Sequence, residues 1–376
     1  MKKAKITIAG DFGPINRIET LLINKKYNDI FAELKPDFFN TDFIVLNLEC
    51  PLTKSNKKCL KSGPSIKADP LISNSLKELK ISMLTLANNH IFDYGFQGLK
   101  DTIEILNASN IETIGAGYNY FDASKIKTKN INGLNFSFVN IAENEFGASS
   151  NNSPGFNPIN PYINFNQIKN AKLYSDFILV IIHGGNEYFD LPNIFQKEIA
   201  HYYIDIGVDV VIFHHSHAIS GFEKYNKGFV FYGLGNFLFD WPIRQPDEWY
   251  NGAYLELFFG TDNLVDFKLV PFEQCKNKVI ISKIDSNSFN EKIKFLSNII
   301  INDELLNTKW LEYLNKVVKY YHYNIYSLNI FEKLLYKFGI LKPFIKRKIM
   351  QPAFINTIRC ESHREALKDI IDFNIF

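Results

Sequence analysis

The sequence is short of several things, and each shortage narrows what the protein can be. There are 4 cysteines in 376 residues, at Cys50, Cys59, Cys275 and Cys360. None forms a Cys-x-x-Cys pair, which excludes a zinc ribbon, a thioredoxin-type motif and a dense disulfide framework. They read as ordinary thiols. An excess of one charge is missing too. The 42 Lys and Arg against 40 Asp and Glu leave a net charge of +2, so no overall field marks a nucleic-acid binder. No apolar run approaches the roughly 18 residues that a membrane-spanning helix needs. The opening "MKKAKITIAGDFGP" carries lysines like a signal peptide, but it has only a short apolar stretch and no small-residue cleavage site. It is expected to be a first strand, and the protein to be cytoplasmic. Internal repeats and low-complexity tracts are lacking as well.

What the chain does have is 46% hydrophobic residues, enough for a large core, over a length that suggests two or so domains. Short β-branched and aromatic runs recur: "AKITIAG", "FIVLNL", "ISMLTLAN", "IETIGAG", "NFSFVNIA", "DFILVIIHG", "VDVVIFHH" and "GFVFYGLG". Each has the length of a strand. Between them lie segments of helical spacing, such as Gly95 to Ala108 with Leu99, Ile103 and Leu106, and Asn193 to Ile206 with Ile194, Ile199 and Tyr203. Alternating strands and helices imply an α/β protein, and near-continuous apolar strands such as "FILVII" imply sheets covered on both faces. The main domain is expected to span residues 1–285. A helical C-terminal extension, residues 286–376, follows. Within it, "IFEKLLYKFGILKPFIKRKIM" mixes Phe331, Leu334 and Leu335 with Lys346, Arg347 and Lys348. That block reads as a helix packed on the main domain with a solvated basic face, or as a peripheral contact to the inner face of an anionic membrane.

The polar residues gather where the strands stop. "AKITIAG" ends at Asp11, "FIVLNL" at Asn47 and Glu49, "ISMLTLA" at Asn88, Asn89 and His90, "FILVII" at His183, and "VDVVIF" at His214, His215 and His217. Taken alone, "LANNHIFDYG" reads as a turn, since Asn, Asp and Gly terminate strands for steric reasons. Five strands delivering acids, amides and imidazoles at their carboxyl ends point instead to one ligand crevice. These donors suit divalent transition metals such as Zn, Mn or Fe. Glu49 is placed to bridge two ions, and a bimetallic site is suited to phosphoryl chemistry. On an extended segment, His215 and His217 share a face and His214 points the other way.

The ordered series "GDFGP", "NLECPLT", "LANNHIFDYGFQGLKDTIEIL", "IETIGAGYN", "HGGNEY", "HHSH" and "YGLGNF" resembles the CapA family, the poly-gamma-glutamate capsule biosynthesis type within the calcineurin-like metallophosphoesterase superfamily. The likeness runs from about residue 5 to residue 275. It implies a four-layer α/β sandwich of two mixed sheets flanked by helices, with a metal centre at the sheet ends. It also implies Asp11 and His217 in a first metal site, Glu49 as the bridge, and Asn89, His183 and His215 in a second. His90 stands where the superfamily has a histidine acting on the leaving oxygen. Glu187 and Asn236 match supporting polar positions. The chain departs from the superfamily in having Gly13 where a first-site histidine would be and Glu49 in place of an aspartate, which leaves the first site with fewer protein ligands. Beside this resemblance, Asp93 reads as the group orienting His90, and Asn88 keeps its turn reading.

The expectation is therefore a metal-dependent hydrolase or transferase, with catalytic His90 and Asp93. It would hold one or two divalent ions, use no nucleotide, and act on a phosphoester or anionic polymer in capsule or surface-polymer synthesis. The alternative is a non-catalytic factor that binds the polymer for assembly or export. Amide ligation of glutamate units finds no nucleotide-binding motif: "GAG" at Gly115 to Gly117 lacks the full dinucleotide fingerprint, and "KSGPS" lacks P-loop spacing. "DWPIRQPDEWYNG", with Arg244 between Trp241 and Trp249, reads as a substrate-facing loop suited to anionic or carbohydrate ligands, or equally as a plain surface loop. His201, His322 and His363 read as structural or exposed.

Overall fold

The computed structural model describes residues 2–261, 263–326 and 352–372. The basic block around residues 331–348 lies outside the described residues, as does the side chain of His322.

Two sheets make the frame. The first runs, in spatial order, Ile281–Lys283, Leu264–Gln274, Asn251–Phe259, Ala4–Gly13, Phe43–Leu48, Met83–Thr85 and Glu112–Ile114, with Asn236–Phe239 beside the end of Ala4–Gly13. Ala4–Gly13 to Glu112–Ile114 form a parallel half; on the other side of Ala4–Gly13 the strands Asn251–Phe259, Leu264–Gln274 and Ile281–Lys283 are antiparallel, while Asn236–Phe239 pairs parallel to its end. The second sheet runs Phe222–Tyr225, Gly228–Phe231, Val210–His214, Phe177–His183, Leu134–Ala142 and Lys127–Ile131. Its four inner strands are mutually parallel and its two edges antiparallel.

Strand alternation explains the layering. Along Phe177–His183, residues Phe177, Leu179 and Ile181 face Ile6, Ile8, Val45 and Leu257 of the first sheet. Ile178, Val180 and Ile182 face Ile199, Tyr203 and Trp310 on covering helices. A run apolar at every position is what a strand buried on both faces requires. The outer face of the first sheet is covered by helices that include Arg17–Ile23 and Gly95–Ala108, which bring Ile18, Leu22, Leu99 and Leu106 to it. The result is a four-layer sandwich: helices, sheet, sheet, helices. Helices beyond residue 285 complete the layer over the second sheet, with Leu296, Trp310 and Ile370 sharing a core with Val180 and Val211. Each such buried side chain contributes about 1.5–3 kcal/mol by leaving water.

Candidate metal centre

The same alternation that fills the space between the sheets with Ile and Phe delivers polar groups there once each strand reaches its carboxyl end. Asn47 follows Val45, Thr85 follows Met83, Asn140 follows Phe138, and His183 follows Ile181 on the inter-sheet face. Asp11 reaches this face through an irregularity. The register with the neighbouring strand shifts between Ala9 and Asp11, so Gly10 is the extra residue of a β-bulge, which re-aims the side chain after it. Only glycine fits there, because a Cβ on Gly10 would lie 1.9 Å from the Gly235 carbonyl oxygen.

The structure corrects the expectation for His214, His215 and His217. His214 continues the alternation of Val210 and Ile212 onto the inter-sheet face and stands in register with His183. It points at the cluster rather than away from it, with Nδ1 3.8 Å from Asp11 Oδ1. The segment after it is not extended. His215 and His217 have φ of 96° and 54°, and this left-handed turn, not a pleat, brings both imidazoles inward.

Asp11 Oδ1 accepts a hydrogen bond from Asn47 Nδ2 at 2.7 Å, and Oδ2 accepts one from the His215 backbone at 3.1 Å. Glu49 lies opposite, fully buried, and neither of its carboxylate oxygens has a hydrogen-bond partner among the described residues. His183 Nε2 and His217 Nε2 stand 3.7 and 3.6 Å from Glu49 Oε1. His217 Nδ1 is 3.5 Å from Asp11 Oδ2 and 2.9 Å from Asn236 Oδ1. His183 Nε2 is 3.0 Å from Asn89 Oδ1 and 3.1 Å from His215 Nδ1. Two groups of donors result, Asp11 with Glu49 and His217, and Glu49 with His183 and His215, each within 4.8 Å and with Glu49 common to both.

Electrostatics set these donors apart from an ordinary core. Burial pushes the Asp11 carboxyl up to about 7, and burial together with Asp11 holds Glu49 well above its usual range. Burial drops His214, His215 and His217 to about 3 and lowers His183 as well. The imidazoles are neutral, with lone pairs available, around two acids that have no Lys or Arg ion pair among the described residues, although the Lys61 charge opposes the rise at Glu49. A buried carboxylate with no donor costs free energy unless it is paired or coordinates a metal. The orphaned Glu49 among neutral imidazoles therefore fits a divalent cation.

His90 and Asp93 sit at the mouth. Asn140 Oδ1 accepts from the Leu86 and Ala87 backbones, and Asn88 Oδ1 accepts from those of His90 and Ile91. Asn88 is the turn former that aims Asn89 and His90. Nδ1 of His90 lies 2.7 Å from Asp93 Oδ2, and Lys61 Nζ is 2.5 Å from Asp93 Oδ1. Burial, then the Lys61 charge, lowers the His90 pKa against the opposing pull of Asp93. Above lies a cavity of about 470 Å³ whose lining includes Lys61, Asn89, His90, Glu187, His217 and Trp249. Glu187 is exposed at this wall, and desolvation by the surrounding cavity, then the Glu145 charge, push its carboxyl up to about 7.

Arg244 is not brought here. It is exposed and pairs with Asp247 at 3.4 Å, while Trp241, Gln245 and Trp249 of the same loop line the cavity. Aromatic rings gain by leaving water, whereas a guanidinium beside a surface carboxylate keeps its hydration. Gly13 has a packing reason as well: a Cβ there would lie 2.4 Å from the Phe239 ring. A side chain at position 13 therefore meets the Phe239 ring, and no donor comes from this position. Sequence reasoning missed Lys61, Glu145 and His363, which line the cavity, and Cys360, which lies within 4.8 Å of Glu145 and His363. Lys61 lies in the Gly-Pro loop tested only as a P-loop, and the C-terminal pair carries no local motif.

Residues 5–241 match the family model of the bacterial capsule synthesis protein PGA_cap. The chain belongs to this family. It is 34% identical over 239 residues to the PGA biosynthesis protein CapA of Bacillus subtilis (strain 168), covering 62% of this chain and 63% of that protein. It is 29% identical over 297 residues to the capsule biosynthesis protein CapA of Bacillus anthracis, covering 76% and 72%. The chain thus spans less than two thirds of the Bacillus subtilis relative. Among solved structures, the 5'-nucleotidase of Candida albicans SC5314 aligns with a TM-score of 0.39 at 10% identity, over 77% of this chain and 54% of that one. Among the described residues, no helix is long and apolar enough to cross a membrane.

Proposed function

We propose that this PGA_cap member is a metal-dependent hydrolase or transferase acting on a phosphoester in the synthesis or remodelling of a capsule or other surface polymer. The observation that carries this reading is Glu49, a buried carboxylate without a hydrogen-bond partner among the described residues, shared by two groups of neutral imidazole and carboxylate donors. Asp11, Glu49 and His217 would hold one divalent ion, and Glu49, Asn89, His183 and His215 a second, with Mn, Zn or Fe the suitable elements. The chemistry such ions supply is Lewis-acid polarisation of a phosphoryl oxygen and neutralisation of charge on the entering and leaving oxygens.

The protein's own groups then do the rest. Asp93 engages Nδ1 of His90 and leaves Nε2 for the cavity, the arrangement a general acid at the leaving oxygen needs. The His90 ring is kept neutral by burial and Lys61. The negative charge of an arriving phosphoester favours the imidazolium, so proton uptake accompanies binding. Asn236 holds Nδ1 of His217 and donates to the Trp249 carbonyl at 3.0 Å, fixing the ring's orientation. Trp249, with its centroid 4.5 Å from that of His217, and Trp241 exclude water from one wall.

The first experiment is metal stoichiometry by elemental mass spectrometry on protein purified without chelators, comparing wild type with His215→Ala. One or two equivalents that fall in the variant support the centre. No metal after reconstitution with Mn, Zn or Fe overturns it and leaves the cluster as a polymer-binding surface. Metal without turnover of any phosphodiester or phosphomonoester keeps the centre and removes the enzymatic reading.

A further inference from the structure

A second set of metal-type donors lies beyond the cluster just described. Glu145, Cys360 and His363 bring a carboxylate oxygen, a thiol sulfur and a ring nitrogen within 4.8 Å of one another, although Cys360 and His363 are more than 200 residues from Glu145 in sequence. We propose that these three residues form an additional site for a thiophilic divalent ion such as Zn or Co, adjoining the Glu49 centre.

The surroundings are built to hold the three donors together. Glu143 accepts hydrogen bonds from the Cys360 thiol at 3.0 Å, the Ser362 backbone at 3.1 Å, the Ser362 hydroxyl at 2.6 Å and the Gly185 backbone at 3.0 Å. Glu361 accepts from the Asn144 backbone and side chain at 2.8 and 2.7 Å. The segment 143–145 is thereby clamped against 360–362, because the two residues before Glu145 are both tied to it. Tyr321 Oη lies 3.0 Å from Nδ1 of His363, a contact that orients the ring as outer partners of ligating histidines do. Asn356 Nδ2 donates to Glu145 Oε2 at 3.3 Å.

Charge balance agrees. Binding a divalent ion requires the Cys360 proton to leave, and the S–H points at Glu143 Oε2, 3.0 Å away, which takes it up; the thiolate and the Glu145 carboxylate then neutralise the ion, and the imidazole adds a neutral donor. The thiolate selects Zn, Co or Fe over Mg or Mn. Glu145 Oε1 lies 3.8 Å from His215 Nε2, so this site would share a wall with the Glu49 centre. Glu145 and His363 both line the cavity. An ion here therefore cancels the Glu145 charge on a wall that otherwise offers both Glu145 and Glu187 to an anionic substrate.

Cobalt loading of the full chain tests the site, because a thiolate bound to Co²⁺ gives a near-ultraviolet charge-transfer band that carboxylate, amide and imidazole donors do not. The expected result is a band in wild type that is lost in Cys360→Ser and His363→Gln and retained in His215→Ala. Elemental analysis should show Cys360→Ser short of wild type by about one equivalent. No band in the wild type, or a band that survives in Cys360→Ser through another thiol, overturns the proposal. Should Cys360→Ser misfold, His363→Gln with an unchanged far-ultraviolet circular dichroism spectrum decides alone. None of these readouts uses phosphoester turnover, so the proposed activity can fail without touching this result, and the reverse.

Discussion

The inter-sheet space is one region in two parts, built by the same strands. In its deeper part Phe136, Phe138, Leu179 and Ile181 meet Ile6, Ile8 and Leu257 in a dry core. At the strand ends the same alternation places Asn140, His183 and His214 opposite Asp11 and Asn47. Both parts are buried to a similar degree, yet only the first gains free energy from burial, while the second must be hydrogen-bonded or coordinated to break even. Depth in the sandwich separates what holds the protein together from what it does.

The largest effect should come from the dry part. Phe138→Ala is expected to cost about 3–5 kcal/mol of unfolding free energy in denaturant titration, by lost transfer plus a cavity, while metal content in the folded fraction stays the same. Next, His90→Ala should lower turnover by about a hundredfold or more for a lost acid-base group with metal stoichiometry intact; unchanged turnover would falsify its role. Asp93→Asn keeps the shape but weakens the hold on the imidazole, and a loss of roughly tenfold in kcat is expected for such a supporting contact. Its measurement against pH separates positioning from folding.

A pH experiment sharpens the contrast further. In chelated protein the Asp11 carboxyl sits near 7 instead of its ordinary 3.8. The folded state holds that proton more tightly than the unfolded chain, so the stability it contributes is present below about 4 and is lost as pH rises through about 7. The imidazoles of His215 and His217, held at about 3, act in the opposite sense, adding stability as pH rises from about 3 to 6.5. The two trends partly cancel in wild type. The difference in stability between Asp11→Asn and wild type isolates the first, and it should grow from pH 4 to pH 7; a flat difference rejects it. Smallest of all, Arg244→Ala should change stability by no more than about 0.5 kcal/mol and leave turnover unaltered, because it pairs with Asp247 at the surface.

Much of this was legible in the chain. Period-two strands that are apolar at every position announced sheets covered on both faces, and the polar residues at their carboxyl ends announced a crevice. Asp11, Glu49, Asn89, His183, His215 and His217 do come together, as does Asp93 with His90. What the sequence hid has physical causes. The bulge at Gly10 is a backbone event set by the Gly235 carbonyl, not by any local pattern. The inward turn of His215 needs a left-handed backbone that histidine rarely adopts, so an extended reading sent His214 to the wrong side. Arg244 was over-read because aromatic neighbours suggest a binding loop while only burial shows which side chains enter it. The meeting of Glu145 with Cys360 and His363 depends on how distant helices pack, which no spacing records.

One consequence follows from where the donors originate. Asp11 and Glu49 belong to or follow strands of the first sheet, and His183, His215 and His217 to the second. Apolar packing between two sheets is non-directional and tolerates sliding; polar donors at fixed separations do not. A slip of one residue, about 3.3 Å, nearly equals the 3.7 Å that separates His183 from Glu49. The centre thus works as a vernier at the open rim of the sandwich, reading the alignment of one sheet against the other to within a single residue.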